Sequence, residues 1–336
     1  MTTIHDVARQ LNISIATVSR ALDGYYDVSE KTRKLVIQTA QEMGYAPNRA
    51  ARQLRRQKAE TIGFIIPAIS PRFDEPYFME FIAGMGNELS GKNYDLLVAN
   101  AMTEEMENNL YQRWVNSRKV DGFILNRMHR HDWRVQYLTK ANVPFVSLGK
   151  SDDGIDYPCI RIDGSRVYVE LIKHLLERGF SRFAFIGGFS ELTIHIDRLR
   201  WFQTALRKHG LKCDHQDILS SEMTIASGYE AANKLLAQSL PPNAILCVND
   251  ETAFGAIEAA RERGLNIGKD VAIAGFDGVK DSGHTVPPLT TLDIPVPDIG
   301  RQLVQMILAV LEKEALSQDQ TIIRPNLLIR ASTGGQ

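Results

Sequence analysis

The side chains best suited to chemistry in this 336-residue chain fall into two groups that call for different partners. The first sixty residues carry ten Lys and Arg against six Asp and Glu, a net charge of +4, whereas the remainder carries 29 against 34. From Gly44 to Ala59 there are five basic residues and no acidic one. Such a segment attracts a polyanion, although a merely solvated basic face has the same composition. Phosphates favour Arg, hydroxyls and the N–H groups at helix starts. Arg20 is the residue most able to read a guanine bidentately. Ile15 and Ala16 beside it offer no side-chain hydrogen bond and can sense only thymine methyls or groove shape.

The second group lies after short apolar runs further along the chain. Ile66 leads into the loop PAISPRFDEPYF, Leu125 into Asn126, Leu148 into Gly149-Lys150, and Gly187 into a loop reaching Asp197 and Arg198. Val248 is followed by Asn249-Asp250, and Gly275 by Phe276-Asp277. Carboxylates and amides grip adjacent hydroxyl pairs, Arg donates from a fixed fork, and an aromatic ring covers an apolar C–H face. Together they suit a small polyhydroxylated ligand. Each has a bland alternative: Asp277 as a turn cap at Gly278, Asn249 as a helix cap, Arg198 in a surface ion pair, Phe78 as plain core. Asp163 reads more readily as a helix cap than as a ligand, and Trp201 fits core and pocket wall equally.

Catalytic patterns are missing from the sequence. It contains no GxSxG, HExxH or GxxxxGK[ST], and no GxGxxG follows the first strand, so IGFIIPAIS cannot cradle a pyrophosphate. His129-Arg130-His131 lacks a third metal ligand nearby. No enzyme, cofactor or metal is expected. Cys159, Cys213 and Cys247 are odd in number and far apart, which argues against a disulfide framework. No apolar run reaches a membrane span, and MTTIHDVARQ lacks the apolar core of an export signal. A cytoplasmic protein with no membrane partner is expected.

The elements that would position these groups follow from local chemistry. Thr3 with Asp6 predicts a capped helix from about Ile4; Asn12 suits a left-handed turn; Ser14 caps a second helix with Val18 and Leu22 inward. That is a helix-turn-helix. Ser29 caps a third helix, with Leu35, Val36, Thr39-Ala40 and Met43 at helical spacing, and Gly44 stops it. After the extended Tyr45–Pro47 segment, Asn48 caps the stretch RAARQLRRQ, too short to be a stable helix alone. Beyond residue 60, strands at 61–66, 94–99, 120–125, 143–148, 182–187, 244–248, 271–275 and 289–292 alternate with amphipathic helices. Continuous apolar strands of this kind predict parallel sheets covered on both faces, and the length suits two such units.

DVARQLNISIATVSRAL, VSEKTR and GYAPNRAARQL, in that order, resemble the DNA-binding head of the LacI/GalR repressor family. The likeness continues more loosely through RIDG, HLLERGFSRFAFIGG, DRLRWFQTAL, CVNDETAFGAIEAARERG and GFDGV…PPLTTLD. It implies an α/β architecture: a three-helix helix-turn-helix head over 1–46, a hinge helix and linker over 47–60, and a two-lobed effector domain over 61–336, similar to periplasmic sugar-binding proteins. By that resemblance Ile15, Ala16 and Arg20 face base edges, and Ser14, Thr17, Ser29 and Thr32 contact phosphates. Asn48 and Leu54 match the hinge cap and minor-groove wedge, although Leu54 could instead pack on its symmetry mate. Arg198, Asn249 and Asp277 match polar effector-binding positions, with Asp74, Phe78 and Asn126 weaker matches. Gly149 departs, since many members have Asp there. The function implied is a repressor that binds palindromic double-stranded operator DNA as a homodimer or higher assembly, under control of a small carbohydrate-type effector. A sugar-binding receptor or transport component, or an activator of the same family, is the alternative.

Overall fold

The computed structural model describes residues 2–45, 58–69, 75–315 and 318–335. The chain divides into two compact units, Met1–Ala59 and Glu60–Gln336. The expected roles of Asn48, Leu54 and Asp74 fall outside the described residues.

In the first unit, α1 (Ile4–Leu11), α2 (Ile15–Leu22) and α3 (Glu30–Glu42) begin where the hydroxyl caps predict. Thr3 and Asp6 form a capping box, and Asn12 ends α1 in the left-handed region at φ 51°. The hydroxyls of Ser14 and Ser29 accept from the N–H groups of Thr17 and Thr32 at 3.0 and 3.2 Å. Val7, Ala8, Val18, Ala21, Val28, Val36 and Ala40 bury together as the core. Leu35 corrects the expectation: it is 51% exposed, and its neighbour Val36 takes the inward position. With so few apolar groups, each matters. Val18→Ala should destabilise this unit by about 2–3 kcal/mol through lost burial and a residual cavity. Hydrogen exchange of the α1–α3 amides in the full chain reads that loss.

The second unit has two lobes, each with a six-stranded sheet. The first lobe uses β1 (Thr61–Ile66), β2 (Asp95–Asn100), β3 (Gly122–Leu125), β4 (Phe145–Leu148), β5 (Cys159–Ile162) and, from near the end of the chain, β11 (Gln320–Ile323). Their order is β11-β5-β4-β3-β1-β2, with every neighbour parallel. The second lobe uses β6 (Phe183–Gly187), β7 (Ile218–Ser220), β8 (Ala244–Cys247), β9 (Ala272–Asp277), β10 (Thr290–Asp293) and β12 (Asn326–Leu328). Its order is β12-β10-β9-β8-β6-β7, and only the β12 edge is antiparallel.

Helices α4 (Pro76–Ser90), α5 (Glu104–Asn116), α6 (Trp133–Lys140) and α11 (Val296–Glu312) cover the first sheet. Helices α7 (Ser165–Glu177), α8 (Thr193–Lys208), α9 (Ile225–Leu236) and α10 (Asp250–Glu262) cover the second. The central strands β3, β4, β6, β8 and β9 are buried along their whole length, which is why they read as unbroken apolar runs. At Gly84 on α4 a side chain would collide with the Pro297 backbone of α11, so that helix crossing requires glycine.

The chain passes between the lobes three times: after β5, after β10 and between β11 and β12. Four strands (β5, β7, β11 and β12) and three helices (α5, α6 and α9) go beyond the sequence reading.

Candidate DNA-reading face and effector cavity

The amino end of α2 is an outward-facing surface. Ile15 is 40% exposed, and Ser14, Ala16 and Arg20 are exposed beside it. Thr17 is half-buried, its hydroxyl 2.8 Å from that of Ser14, and Thr32 repeats the arrangement with Ser29 at 2.8 Å. Each pair keeps its hydroxyls at a helix start, where N–H groups point toward an anion. Arg20 donates to Asp27 at 2.7 Å, and both side chains are open to solvent. Asp27 was not anticipated as a partner. An exposed pair of this kind contributes about 0–1 kcal/mol, so it orients the guanidinium yet yields readily to a stronger acceptor.

In the second unit, the carboxyl ends of the strands from both lobes face one another across a cavity of about 70 Å³. Asn126, Arg198, Asn249 and Asp277 all line it, as do Tyr77, Asp197 and Trp201. Phe78 does not: it is fully buried in the first lobe's core, and α4 presents Tyr77 instead. The resemblance nominated Phe78, and the alternative reading of it as plain core at helical spacing is the one the structure bears out.

Arg198 is the organising cation of the second lobe's wall. It donates to the Val248 carbonyl and, at 3.0 Å, to Asp277, while its guanidinium lies 3.5 Å from the centre of the Phe276 ring. Burial pushes the Asp277 carboxyl above its usual range, and Arg198 opposes that rise. Asp277 also adopts φ 108°, rare for a side-chain-bearing residue, and such conformations persist where surrounding structure holds them. Asn249 caps α10, its amide oxygen accepting from Thr252 N–H at 3.1 Å, while its amide nitrogen donates to the Met223 carbonyl at 3.1 Å. It is therefore a helix cap whose side chain also lines the cavity. Asp197 pairs with Arg200 at 2.5 Å, and burial raises its carboxyl. Trp201 packs against Gly164, where a side chain would collide with the indole, and serves as both core and wall. Asp163 accepts from Ser165 N–H at 3.0 Å, a helix-start contact and not a cavity one.

On the first lobe's wall, Asn126 donates to the Tyr77 hydroxyl at 3.3 Å. Burial pushes the Tyr77 phenol well up. Arg127 also lines the cavity and was not singled out by sequence. Behind this wall Arg134, fully buried, donates to Asp132 at 2.9 and 2.6 Å, to Glu107 at 3.4 Å, and to the carbonyls of Asn126 and Arg127 at 3.2 and 3.1 Å. Two backbone bonds cross between the lobes beside the cavity. Arg130 N–H donates to Glu191 C=O at 2.8 Å, and Thr193 N–H to Met128 C=O at 2.9 Å. His129 contributes its backbone to this bridge, opposite Leu192. Among the described residues no group of His, Cys, Asp and Glu could hold a metal ion, and no helix is long and apolar enough to cross a membrane.

A compact helix-turn-helix unit and a two-lobed body closing on a cavity with charged and amide side chains in its wall define a class, the DNA-binding regulators with a ligand-binding body. Residues 3–48 match the family model described as bacterial regulatory proteins of the lacI family, and residues 172–333 match the periplasmic binding protein-like domain. The chain is 32% identical to the HTH-type transcriptional regulator AglR of Rhizobium meliloti (strain 1021), over 98% of this chain and 94% of that one. It is 30% identical to the HTH-type transcriptional repressor CytR of Escherichia coli (strain K12), over 98% and 96%. A solved complex of the transcriptional regulator CelR with cellobiose superposes with TM-score 0.76 at 25% identity, covering 99% of this chain and all of that one. The chain belongs to the lacI family and is a DNA-binding transcription regulator.

Proposed function

We propose that this regulator is a homodimeric repressor whose grip on a near-palindromic operator is controlled by a carbohydrate held between the two lobes of its body. The observation that carries the reading is that one chain joins an exposed, hydroxyl-capped recognition helix to a cavity walled by Arg198, Asp277, Asn249 and Trp201. The relatives support it: CytR is a repressor by name, and CelR was solved with cellobiose. Two heads would read two half-sites, with Ile15, Ala16 and Arg20 on base edges and Ser14, Thr17, Ser29 and Thr32 on phosphates. Such a protein works in the cytoplasm, where the chromosome is, and needs no catalytic group.

Ligand sites usually span about 300–1,000 Å³. At about 70 Å³ the cavity must widen to admit a sugar, and widening strains the Met128–Arg130 to Glu191–Thr193 bridge. Ligand binding is thereby coupled to lobe angle, and lobe angle to the spacing of the two heads. An effector favouring one lobe arrangement about 100-fold shifts the equilibrium by roughly 2.7 kcal/mol.

The test is operator selection from a random duplex pool, followed by titration of the selected and scrambled duplexes at several salt concentrations. Affinity for the selected site should fall steeply with salt, with a logarithmic slope of about −0.9 per phosphate neutralised. Arg20→Ala should cost about 1–3 kcal/mol on the selected site and much less on scrambled DNA. Equal losses on both, or a selected pool without dyad symmetry, would refute the reading.

A further inference from the structure

The two walls of the cavity repeat one device. On the second lobe Arg198 is paired with Asp277 and stacked on Phe276. On the first, Arg127 Nη2 donates to both carboxylate oxygens of Glu75 at 2.6 and 2.7 Å, and its guanidinium lies 4.9 Å from the centre of the Phe78 ring. Both partners of this pair are about 95% buried, with side-chain exposures of 5% and 4%. The pair is bound on one side only: Arg127 Nη1 is buried and has no hydrogen-bond partner among the described residues. A buried guanidinium N–H without an acceptor is costly, so this one calls for a partner that the described residues do not supply. The position is also held deliberately. Arg127 sits in the left-handed region at φ 48°, and Arg134 grips its carbonyl and that of Asn126 from behind. On the same wall, Gly149, just after the neighbouring strand β4, offers no side chain.

Among the described residues the charges of these walls are paired. Glu75 answers Arg127, Asp277 answers Arg198, and the Asp197 carboxylate faces Arg200. Among the described residues, an anionic ligand entering the cavity would lose its hydration without meeting a cation that is not already paired. We propose that Arg127 is a specificity-determining residue of the effector site: its Nη1 donates to an uncharged oxygen of the ligand, a hydroxyl or a glycosidic oxygen, and its neutralisation by Glu75 excludes phosphorylated sugars. This rests on the carbohydrate reading above and names the class of carbohydrate.

The test uses the full chain and matched probes: glucose, trehalose and sucrose, each beside its 6-phosphate, with cellobiose and maltose added. Thermal shift finds the ligands and calorimetry measures them. The wild type should bind a neutral sugar at least about tenfold more tightly than the matching phosphate. Arg127→Met should weaken the neutral sugar by about 10- to 100-fold, the loss of a charge-assisted hydrogen bond. Because that variant strands Glu75 in the interior, the double variant E75Q/R127Q, which removes both charges, should show the same loss. Glu75→Gln alone frees the charge of Arg127 and should narrow the preference against phosphate about tenfold.

A neutral sugar that binds E75Q/R127Q within twofold of wild type, or a phosphate that binds wild type more tightly than its parent sugar, overturns the inference and leaves the carbohydrate reading standing. If no probe shifts the melting temperature of the wild type, the carbohydrate reading fails and takes the inference with it.

Discussion

Arg134→Met is expected to lower the stability of the two-lobed unit by about 3–5 kcal/mol, because it leaves buried carboxylates without their cation. In a unit of this size the melting temperature should drop by about 10 °C. Arg134 is completely shielded from solvent, and its guanidinium spends its donors on Asp132, Glu107 and two carbonyls. Burial would raise the Asp132 carboxyl, but attraction to Arg134 and the bonds from Arg134 and the His129 N–H outweigh it, and the group titrates below its ordinary value. A depressed acid contributes stability above its unfolded value, near pH 4, and that stability is lost as pH falls through the folded value. The variant reverses the sign. With the cation gone, burial dominates at Asp132, its folded value rises, and the protein should become more stable as pH falls from 7 toward 5. Denaturant melts of both proteins at pH 7, 5 and 4 check this. A variant as stable as wild type at pH 7, or one that weakens from pH 7 to 5, would show that the cluster does not carry the β3–α6 loop.

Asp277→Ala is expected to abolish the effector's control of operator binding. Two consequences combine. A carboxylate that would grip a hydroxyl pair is lost, worth about 1.5–3 kcal/mol per charged hydrogen bond, or about 10- to 100-fold in affinity. Arg198 also loses the partner that fixes its fork at 3.0 Å and becomes an unmatched cation in the cavity wall. Asp277→Asn separates the two, since Asn tolerates the positive φ at this position and keeps the shape while removing the charge. Operator titrations by fluorescence anisotropy, with and without a sugar that raises the wild-type melting temperature, give the readout. A full response in Asp277→Ala would remove this carboxylate from the effector site.

How much of this was legible beforehand depends on distance along the chain. The hydroxyl caps at Ser14 and Ser29 and the left-handed turn at Asn12 are interactions within three residues, and sequence fixes them. The central strands are legible because burial on both faces leaves an unbroken apolar run. Strand β11 is not, because QTII is half-exposed and becomes a strand only beside β5, which lies far back in the sequence. Arg127 and Arg134 are hidden in the sequence for a similar reason. In the segment NRMHRHDWR they resemble surface charges, and what makes Arg127 interior is Glu75, 52 residues away. Asn249 shows a different limit. Its two readings, helix cap and cavity wall, are both true of one side chain, so composition could not separate them. Tyr77 and Phe78 are adjacent on one amphipathic helix, and only its packing decides which ring meets the cavity.

The three passages of the chain between lobes set a timetable for biosynthesis. The sheet begun by β1 is completed on one edge by β11 and roofed by α11, both from the last fifty residues. At about 5–20 residues per second, some tens of seconds separate the emergence of β1 from that of β11. Throughout that interval the nascent lobe shows an open apolar edge, which makes it a natural client for chaperones. The three-helix head is complete from the outset, so on a growing polypeptide the part that reads DNA is finished long before the part that can be told to let go.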